Sequence, residues 1–195
     1  EDELDRPFVT VDSSRLGNAA RVDDAAGRYI EFCKGTVPFG TLLTGLRVVL
    51  DCAHGSTYRV APAVLRELGA KVYVIGNDPD GMNINDHCGS TQPQAMQAEV
   101  TRLGADVGIA LDGDGDRVVM ADANGELVDG DELLFVIASA RKADGRLPGG
   151  VVGTVMTNFG LELALAEMEI PFVRTAVGDR HVHRALIEHG WMLGG

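Results

Sequence analysis

Three aspartates at alternate positions, separated by glycines and followed by an arginine, are the residues of this chain best suited to chemistry. Glycine adopts backbone conformations closed to other residues, so the three side chains can converge on one point. Ionised carboxylates that are this close repel one another and raise each other's pKa unless a cation compensates them. The run therefore predicts a cation site, with these ligands: Asp112, Asp114 and Asp116.

The chemistry of the ligands selects the ion. Oxygen-only ligation favours Mg²⁺ first and Mn²⁺ or Ca²⁺ next, and it disfavours zinc, which prefers histidine and cysteine. With three protein ligands, Mg²⁺ still needs about three more oxygens to complete an octahedron. Water or a phosphate group can supply them, so the site leaves open positions for either.

Apolar segments flank the acidic run on both sides. Residues 105–111 and 117–122 each read as a strand, which places the run on a loop between two strands. An EF-hand beginning at Asp112 would need Gly and Glu where this chain has Arg117 and Ala123. A haloacid-dehalogenase-type phosphotransferase normally has Thr or Val in place of Asp116. A nucleotide-sugar glycosyltransferase would leave Asp116 and Arg117 unexplained, and a solvated acidic turn without a ligand is the remaining alternative.

The hexapeptide from Asp112 to Arg117 resembles the metal-binding loop of the α-D-phosphohexomutase superfamily. The stretch Asp80-Gly81-Met82-Asn83-Ile84-Asn85, followed by Cys88-Gly89-Ser90-Thr91, is similar to that of bacterial phosphoglucosamine mutases. Phosphomannomutase relatives typically carry Phe-Pro and His-x-Pro patterns here. Residues 21–34 and 176–180 also resemble this family, so the likeness covers nearly the whole chain.

The resemblance implies phosphoryl transfer. In this family a phosphoserine gives its phosphoryl group to a hexosamine phosphate, and the resulting bisphosphate reorients and returns its other phosphate to the serine. One Mg²⁺ per active site, held by the three aspartates, would assist the transfer, and Arg117 would contact phosphate. The segment Gly178-Asp179-Arg180 matches a loop that touches the sugar. Two plainer interpretations stay open: Arg117 forms an ion pair with an aspartate, and Asp179 caps a helix.

The intact enzyme implied by this resemblance interconverts glucosamine 6-phosphate and glucosamine 1-phosphate, which feeds UDP-N-acetylglucosamine and cell-wall synthesis. Its partner is a small sugar phosphate, a hexose or hexosamine 1,6-bisphosphate serves as activator or intermediate, and a homodimer is compatible with the family. The phosphoserine is expected upstream of Glu1 and the sugar-recognition loop after Gly195. No catalytic serine is therefore expected in this fragment, which alone should be inactive. A phosphomannomutase or phosphoglucomutase and a non-catalytic Mg²⁺- or Ca²⁺-binding module remain the alternatives.

Charge, hydropathy and cysteine content limit the classes of partner and the cellular compartment that fit this chain. The formal charge of −12 argues against nucleic acid or an anionic membrane surface as the main partner. The longest strongly apolar run, residues 133–138, is far shorter than the roughly 20 residues of a membrane span, and residues 1–6 are acidic and unlike a signal peptide. Three cysteines without a Cys-x-x-Cys spacing predict buried thiols in a reducing cytoplasm.

The order of elements predicts an α/β fold, with two consecutive phosphohexomutase-type domains and mixed, mainly parallel sheets. Residues 1–43 are assigned to the tail of a first domain with a connecting helix, 44–144 to a complete second domain that carries the metal loop, and 145–195 to a partial third domain. Ser56 is predicted to cap a helix. The predicted strands are 46–51, 71–75, 105–111, 117–122, 151–155 and 172–175, and the predicted helices are 23–34, 58–68, 94–103, 130–141, 160–168 and 179–189.

Overall fold

Two β-sheets with helices packed against them make up residues 7 and 10–195, the part of the chain that this computed structural model describes. The acidic segment 1–6, predicted not to be a signal peptide, lies outside the described residues. Across the described residues, no helix combines the length and the apolar character needed to cross a membrane.

The first sheet has five strands: β1 (Arg47–Asp51), β2 (Lys71–Ile75), β3 (Val107–Leu111), β4 (Val118–Ala121) and β5 (Leu127–Val128). Their order across the sheet is β2-β1-β3-β4-β5. Strand β1 runs parallel to β2 and β3, whereas β4 is antiparallel to β3 and β5 is antiparallel to β4. Because β1 and β3 are parallel neighbours, the residues that follow them emerge at the same edge of the sheet.

Three helices accompany this sheet: α1 (Ala25–Gly35), α2 (Val60–Glu67) and α3 (Gln94–Leu103). Helix α3 covers one face, where Met96 and Val100 are buried in one cluster with Val49 of β1. Gly108 of β3 allows the close approach, because a Cβ at this position would lie 2.0 Å from the sulfur of Met96. Helices α1 and α2 pack against each other, and α2 also contacts β2.

The second sheet contains β6 (Val151–Thr154), β7 (Phe172–Thr175) and β8 (Leu193–Gly194), in the order β7-β6-β8 with all strands parallel. Helices α4 (Gly130–Ala143) and α5 (Phe159–Glu167) lie on one face, where Val151 is buried. Helix α6 (Asp179–His189) lies on the other, where Val152 packs against Val182. Alternate residues of β6 thus serve opposite faces, as the two-residue period of a strand requires.

Helix α4 packs against the second sheet. From the sequence, this helix was predicted to lie in the preceding domain, ahead of a boundary at residue 144. It begins with a capping box, in which Asp129 accepts from the backbone of Glu132 and Glu132 accepts from the backbone of Asp129. Its buried residues Leu134 and Ala138 lie in the cluster of the second sheet. We therefore propose that the second unit begins near Asp129, because the apolar stripe of α4 is buried there.

The predicted fold class is confirmed, with α/β/α layers around mixed, mainly parallel sheets. The antiparallel strand after the acidic loop also lies where it was predicted. Strands β5 and β8 were not predicted. Each has two residues, which is too short for an alternating pattern to appear in the sequence.

Candidate metal and phosphate site

The acidic loop lies between β3 and β4, at the carboxyl end of β3. It is closed at its base by a hydrogen bond from the amide of Asp112 to the carbonyl of Arg117, at 3.3 Å. Gly115 has a φ of +80°, a region that favours glycine. At Gly113 a Cβ would lie 2.5 Å from Cδ1 of Ile84, so this exposed side chain would have to move to admit a larger residue. Backbone conformation therefore favours glycine at position 115, and close packing favours a small residue at position 113.

The loop brings the three predicted ligands together. One carboxylate oxygen each from Asp112, Asp114 and Asp116 lies within 4.8 Å of the other two. Oxygens on opposite sides of Mg²⁺ are about 4.2 Å apart and those on Ca²⁺ about 5 Å apart. Asp114 and Asp116 are exposed and can rotate inward, whereas Asp112 is buried and already directed by its hydrogen bonds. This set of donors fits a hard divalent cation.

Asp112 is the anchored member of the set. Its Oδ1 accepts from the amides of Gly115 and Arg117, at 3.2 and 3.1 Å, and its Oδ2 accepts from Nε of Arg117 at 2.8 Å. Burial alone would raise the pKa of this carboxyl group, but the hydrogen bonds and charge of Arg117 outweigh that effect and lower it. Asp112 is therefore ionised and oriented before any ligand arrives.

Asp116 has the opposite shift. Desolvation, followed by the charges of Asp114 and Asp112, raises the pKa of its carboxyl group. Asp179 contributes to the same rise, so the start of α6 lies within electrostatic range of the acidic loop. The loop concentrates negative charge that is only partly compensated, and a divalent cation would relieve this repulsion.

Arg117 adopts the ion-pair geometry that was one of its two interpretations. Its Nε also lies 3.7 Å from Oδ1 of Asp116, and its side chain is 63% exposed. The exposed guanidinium has a planar set of donors suited to phosphate oxygens. The contact with phosphate stays a prediction.

The second predicted segment lies at the start of α6. Gly178, with a φ of +126°, occupies the N-cap position, and Asp179 is the first helical residue. The interpretation of Asp179 as the helix cap therefore does not describe this structure. Arg180 donates from Nε to Nε2 of His181 at 3.3 Å. The amides of a helix start favour anions, so a phosphorylated sugar can be accommodated here.

Ser56 has a role that the sequence did not predict, and the prediction of a helix cap is wrong. Helix α2 begins at Val60, and the hydroxyl of Ser56 donates instead to the carbonyl of Asp114 at 3.2 Å. Its amide donates to the carbonyl of Gly113 at 2.8 Å. These contacts join residues far apart in sequence, so no local pattern could have indicated them.

Asp51 is a further residue near this site, and the sequence assigned no role to it. It ends β1 and is completely buried. Its Oδ1 accepts from the amide of Ala53 at 2.9 Å, and its Oδ2 accepts from the amide of Gly89 at 2.8 Å. One signal in the sequence is that this aspartate follows a continuous apolar run.

Comparisons with known proteins agree with this architecture. Residues 28–125 match the family model described as phosphoglucomutase/phosphomannomutase, alpha/beta/alpha domain II, and residues 129–195 match domain III of the same family. The phosphoglucosamine mutase of Ectopseudomonas mendocina is 61% identical over all 195 residues. The chain spans 44% of the length of that relative.

Solved structures show the same fold. A phosphoglucomutase/phosphomannomutase family protein from Burkholderia thailandensis matches 87% of this chain with 37% of its own, at 26% identity and a TM-score of 0.75. An N-acetylphosphoglucosamine mutase from Aspergillus fumigatus, solved in complex with GlcNAc-6P and magnesium, matches 85% of this chain with 37% of its own, at 22% identity and a TM-score of 0.60. On the two matching domain models, which together extend from residue 28 to residue 195, the chain belongs to the phosphoglucomutase/phosphomannomutase family of the phosphohexomutase superfamily.

Proposed function

We propose that this chain supplies the metal-holding part and a sugar-contacting part of a phosphoglucosamine mutase, which interconverts glucosamine 6-phosphate and glucosamine 1-phosphate. The observation that carries the proposal is the convergence of three carboxylates on one loop. The 61% identity to a phosphoglucosamine mutase favours glucosamine over mannose or glucose as the sugar.

The chemistry assigned to the loop follows from its charge. Mg²⁺ held by Asp112, Asp114 and Asp116 would act as a Lewis acid and a template for the transferring phosphoryl group. Asp112 offers an ionised carboxylate in a fixed position, because the amides of Gly115 and Arg117 hold its Oδ1. The two exposed aspartates complete the set by rotating toward it.

Arg117 and the start of α6 are proposed to hold the substrate. The guanidinium of Arg117 lies beside the carboxylates and is exposed, so it can turn toward a phosphate oxygen next to the metal. Gly178, Asp179 and Arg180 lie near enough for Asp179 to affect the pKa of Asp116. A sugar phosphate bound between these segments would meet the metal loop on one side and helix amides on the other.

The setting proposed for the whole protein is the cytoplasm, with a sugar phosphate as partner and a hexosamine bisphosphate as activator or intermediate. The cysteines support a reducing compartment, because Cys33, Cys52 and Cys88 are free thiols and two of them are buried. A homodimer remains part of the proposal for the intact enzyme.

The proposal is tested by titrating this chain with Mg²⁺ in a calorimeter, with and without inorganic phosphate. We expect phosphate to raise the affinity for Mg²⁺ about fivefold or more, because the anion completes the coordination of the metal and pairs with Arg117. Asp114→Ala should reduce Mg²⁺ binding at least tenfold, since it removes one of three ligands. Asp78→Ala is the matched control, an exposed aspartate on another loop.

The two candidate functions give different results. An affinity for Mg²⁺ that phosphate leaves unchanged would support a non-catalytic cation-binding module and contradict the mutase assignment. If Asp114→Ala and the parent chain bound Mg²⁺ equally well, the proposed metal site would be wrong.

A further inference from the structure

The completely buried carboxylate of Asp51 has no place in the chemistry described above, although it lies at the same edge of the sheet as the acidic loop. Burying an ionisable group is costly unless hydrogen bonds compensate it. Both oxygens of Asp51 are occupied by backbone amides, one from the turn after β1 and one from the 85–90 segment. Asp51 therefore joins two segments that are distant in sequence.

The first connection to the acidic loop runs through Gly89. This glycine has a φ of +78°, and a Cβ at its position would lie 2.6 Å from both the carbonyl oxygen of Leu111 and Cβ of Ala53. The next residue, Ser90, donates its amide to the carbonyl of Leu111 at 2.9 Å. Leu111 directly precedes Asp112, so Gly89 and Ser90 contact the backbone at the point where the loop begins.

The second connection runs through the turn after β1. Ala53 takes a left-handed conformation with a φ of +53°, and its carbonyl accepts from the amide of Asn85 at 2.9 Å. Gly55, two residues further, is so close to the acidic loop that a Cβ would lie 2.2 Å from the carbonyl oxygen of Gly113. The amide of Ser56 donates to that same oxygen. The turn held by Asp51 thus supports the middle of the loop.

We propose that Asp51 is a positioning residue for the metal-binding loop. Its two hydrogen bonds hold the 85–90 segment and the turn after β1 in register, and these two segments fix the backbone of Leu111 and Gly113 on either side of Asp112. The inference rests on the proposed function, because it assigns Asp51 to the same metal site. Asp51 would not touch metal or substrate, so its effect must appear through the geometry of the loop.

The variant Asp51→Asn tests this role with little change in shape. The amide nitrogen of asparagine cannot accept, so either Ala53 or Gly89 loses its partner. The control is Asp106→Asn, which lies just before β3, at the edge of the sheet opposite to the acidic loop. Asp106 also accepts from a backbone amide, that of Arg47 at 2.7 Å, but its contacts lie at the amino end of β1.

Two measurements separate positioning from general stability. One is the affinity for Mn²⁺, followed by electron paramagnetic resonance, and the other is hydrogen exchange of peptides covering 110–118 in the absence of metal. We expect Asp51→Asn to weaken Mn²⁺ binding about tenfold, as loss of a group that orients ligands does elsewhere. Exchange in 110–118 should become faster, because the loop loses part of its support. Asp106→Asn should lower the thermal midpoint but change the Mn²⁺ affinity less than about twofold.

A second variant keeps the test decisive if Asp51→Asn does not fold. A Cβ in Gly76→Ala would lie 2.4 Å from Oδ1 of Asp51 and 3.0 Å from the amide of Ala53, so it displaces the carboxylate and retains its charge, with added backbone strain at a φ of +59°. It should weaken Mn²⁺ binding and accelerate exchange in 110–118 in the same direction as Asp51→Asn. Mn²⁺ affinity and exchange that match those of Asp106→Asn would overturn the positioning role. Failure of the parent chain to bind Mn²⁺ would contradict the metal site instead, and the exchange measurement would still decide whether Asp51 orders the loop.

Discussion

Nε of Arg117 lies 2.8 Å from Oδ2 of Asp112, so the guanidinium neutralises the most buried carboxylate of the acidic loop. Any divalent cation that uses this oxygen must compete with the arginine. A cation that binds there would release the guanidinium, which is exposed and can then meet an anion. Metal and phosphate are therefore expected to bind cooperatively, with Arg117 as the link between them.

Replacing Arg117 by glutamine should separate its competition with the cation from its contact with phosphate. Without phosphate, Arg117→Gln is expected to bind Mg²⁺ about threefold more tightly, because a unit positive charge no longer opposes the ion. The increase in Mg²⁺ affinity caused by phosphate should disappear, because the anion has lost its donor. Calorimetric titration with Mg²⁺, with and without phosphate, measures both quantities.

Arg117→Lys is the control for charge. Lysine keeps the positive charge but lacks the planar pair of donors, so it should retain weak Mg²⁺ binding and show only part of the phosphate effect. If glutamine and lysine behaved identically, charge competition would not explain the role of Arg117.

Gly55→Ala should disturb the acidic loop from the neighbouring turn. The new Cβ would lie 2.2 Å from the carbonyl oxygen of Gly113, a backbone atom that cannot move without shifting the loop. Overpacking of this kind typically costs about 1–3 kcal/mol. We expect a lower urea midpoint and weaker Mg²⁺ binding.

Gly27→Ala is the matched control for that substitution. A Cβ at Gly27 would have no neighbour within 4 Å, and the residue lies within α1. Alanine should therefore raise the stability slightly, by about 0.5–1 kcal/mol, and leave Mg²⁺ binding unchanged. Loss of metal binding in this variant would show that Gly55→Ala does not report on local geometry.

Sequence patterns predicted the parts of this structure that depend on local periodicity. The bounds of β2, β7 and α6 agree with their predictions, because apolar residues there follow the period of one element. The clustering of the three carboxylates could be predicted because they lie within five residues of one another and are separated by flexible glycines.

Contacts between distant segments could not be predicted in the same way. The bonds of Ser56 to Gly113 and Asp114, and that of Asp51 to Gly89, depend on which strands are neighbours. The packing of α4 on the second sheet likewise depends on which apolar surface covers its stripe. These contacts depend on tertiary structure, so they cannot be inferred from a short stretch of sequence.

Acid should weaken the structure through Asp106. The hydrogen bonds from the side chain and amide of Arg47 lower the pKa of this carboxyl group below its ordinary value of 3.8. A carboxyl group whose pKa is lower in the folded state stabilises that state above the pKa of the unfolded chain, and this contribution is lost as the pH falls through the folded value. The temperature of the thermal midpoint should therefore decrease once the pH is lowered below about 4.

Asp106→Asn isolates this contribution, because asparagine does not titrate. Its thermal midpoint should be lower than that of the parent chain at pH 7, and the two midpoints should approach each other near pH 2.5. The pair is partly exposed, so high salt should also reduce the difference at pH 7. A difference that stayed constant from pH 7 to pH 2.5 would assign the effect of the substitution to packing instead.

The three thiols should react with iodoacetamide in an order set by burial. Cys52 is fully buried, and desolvation raises the pKa of its thiol to about 11, so little thiolate is present at pH 8. Burial also raises the pKa of Cys88, whereas Cys33 is only half-buried. Mass spectrometry at pH 8 should find Cys33 modified first and Cys52 last, with at least a tenfold difference in rate. In urea the three rates should converge, because the difference comes from the fold, and equal rates in the native chain would contradict the buried position of Cys52.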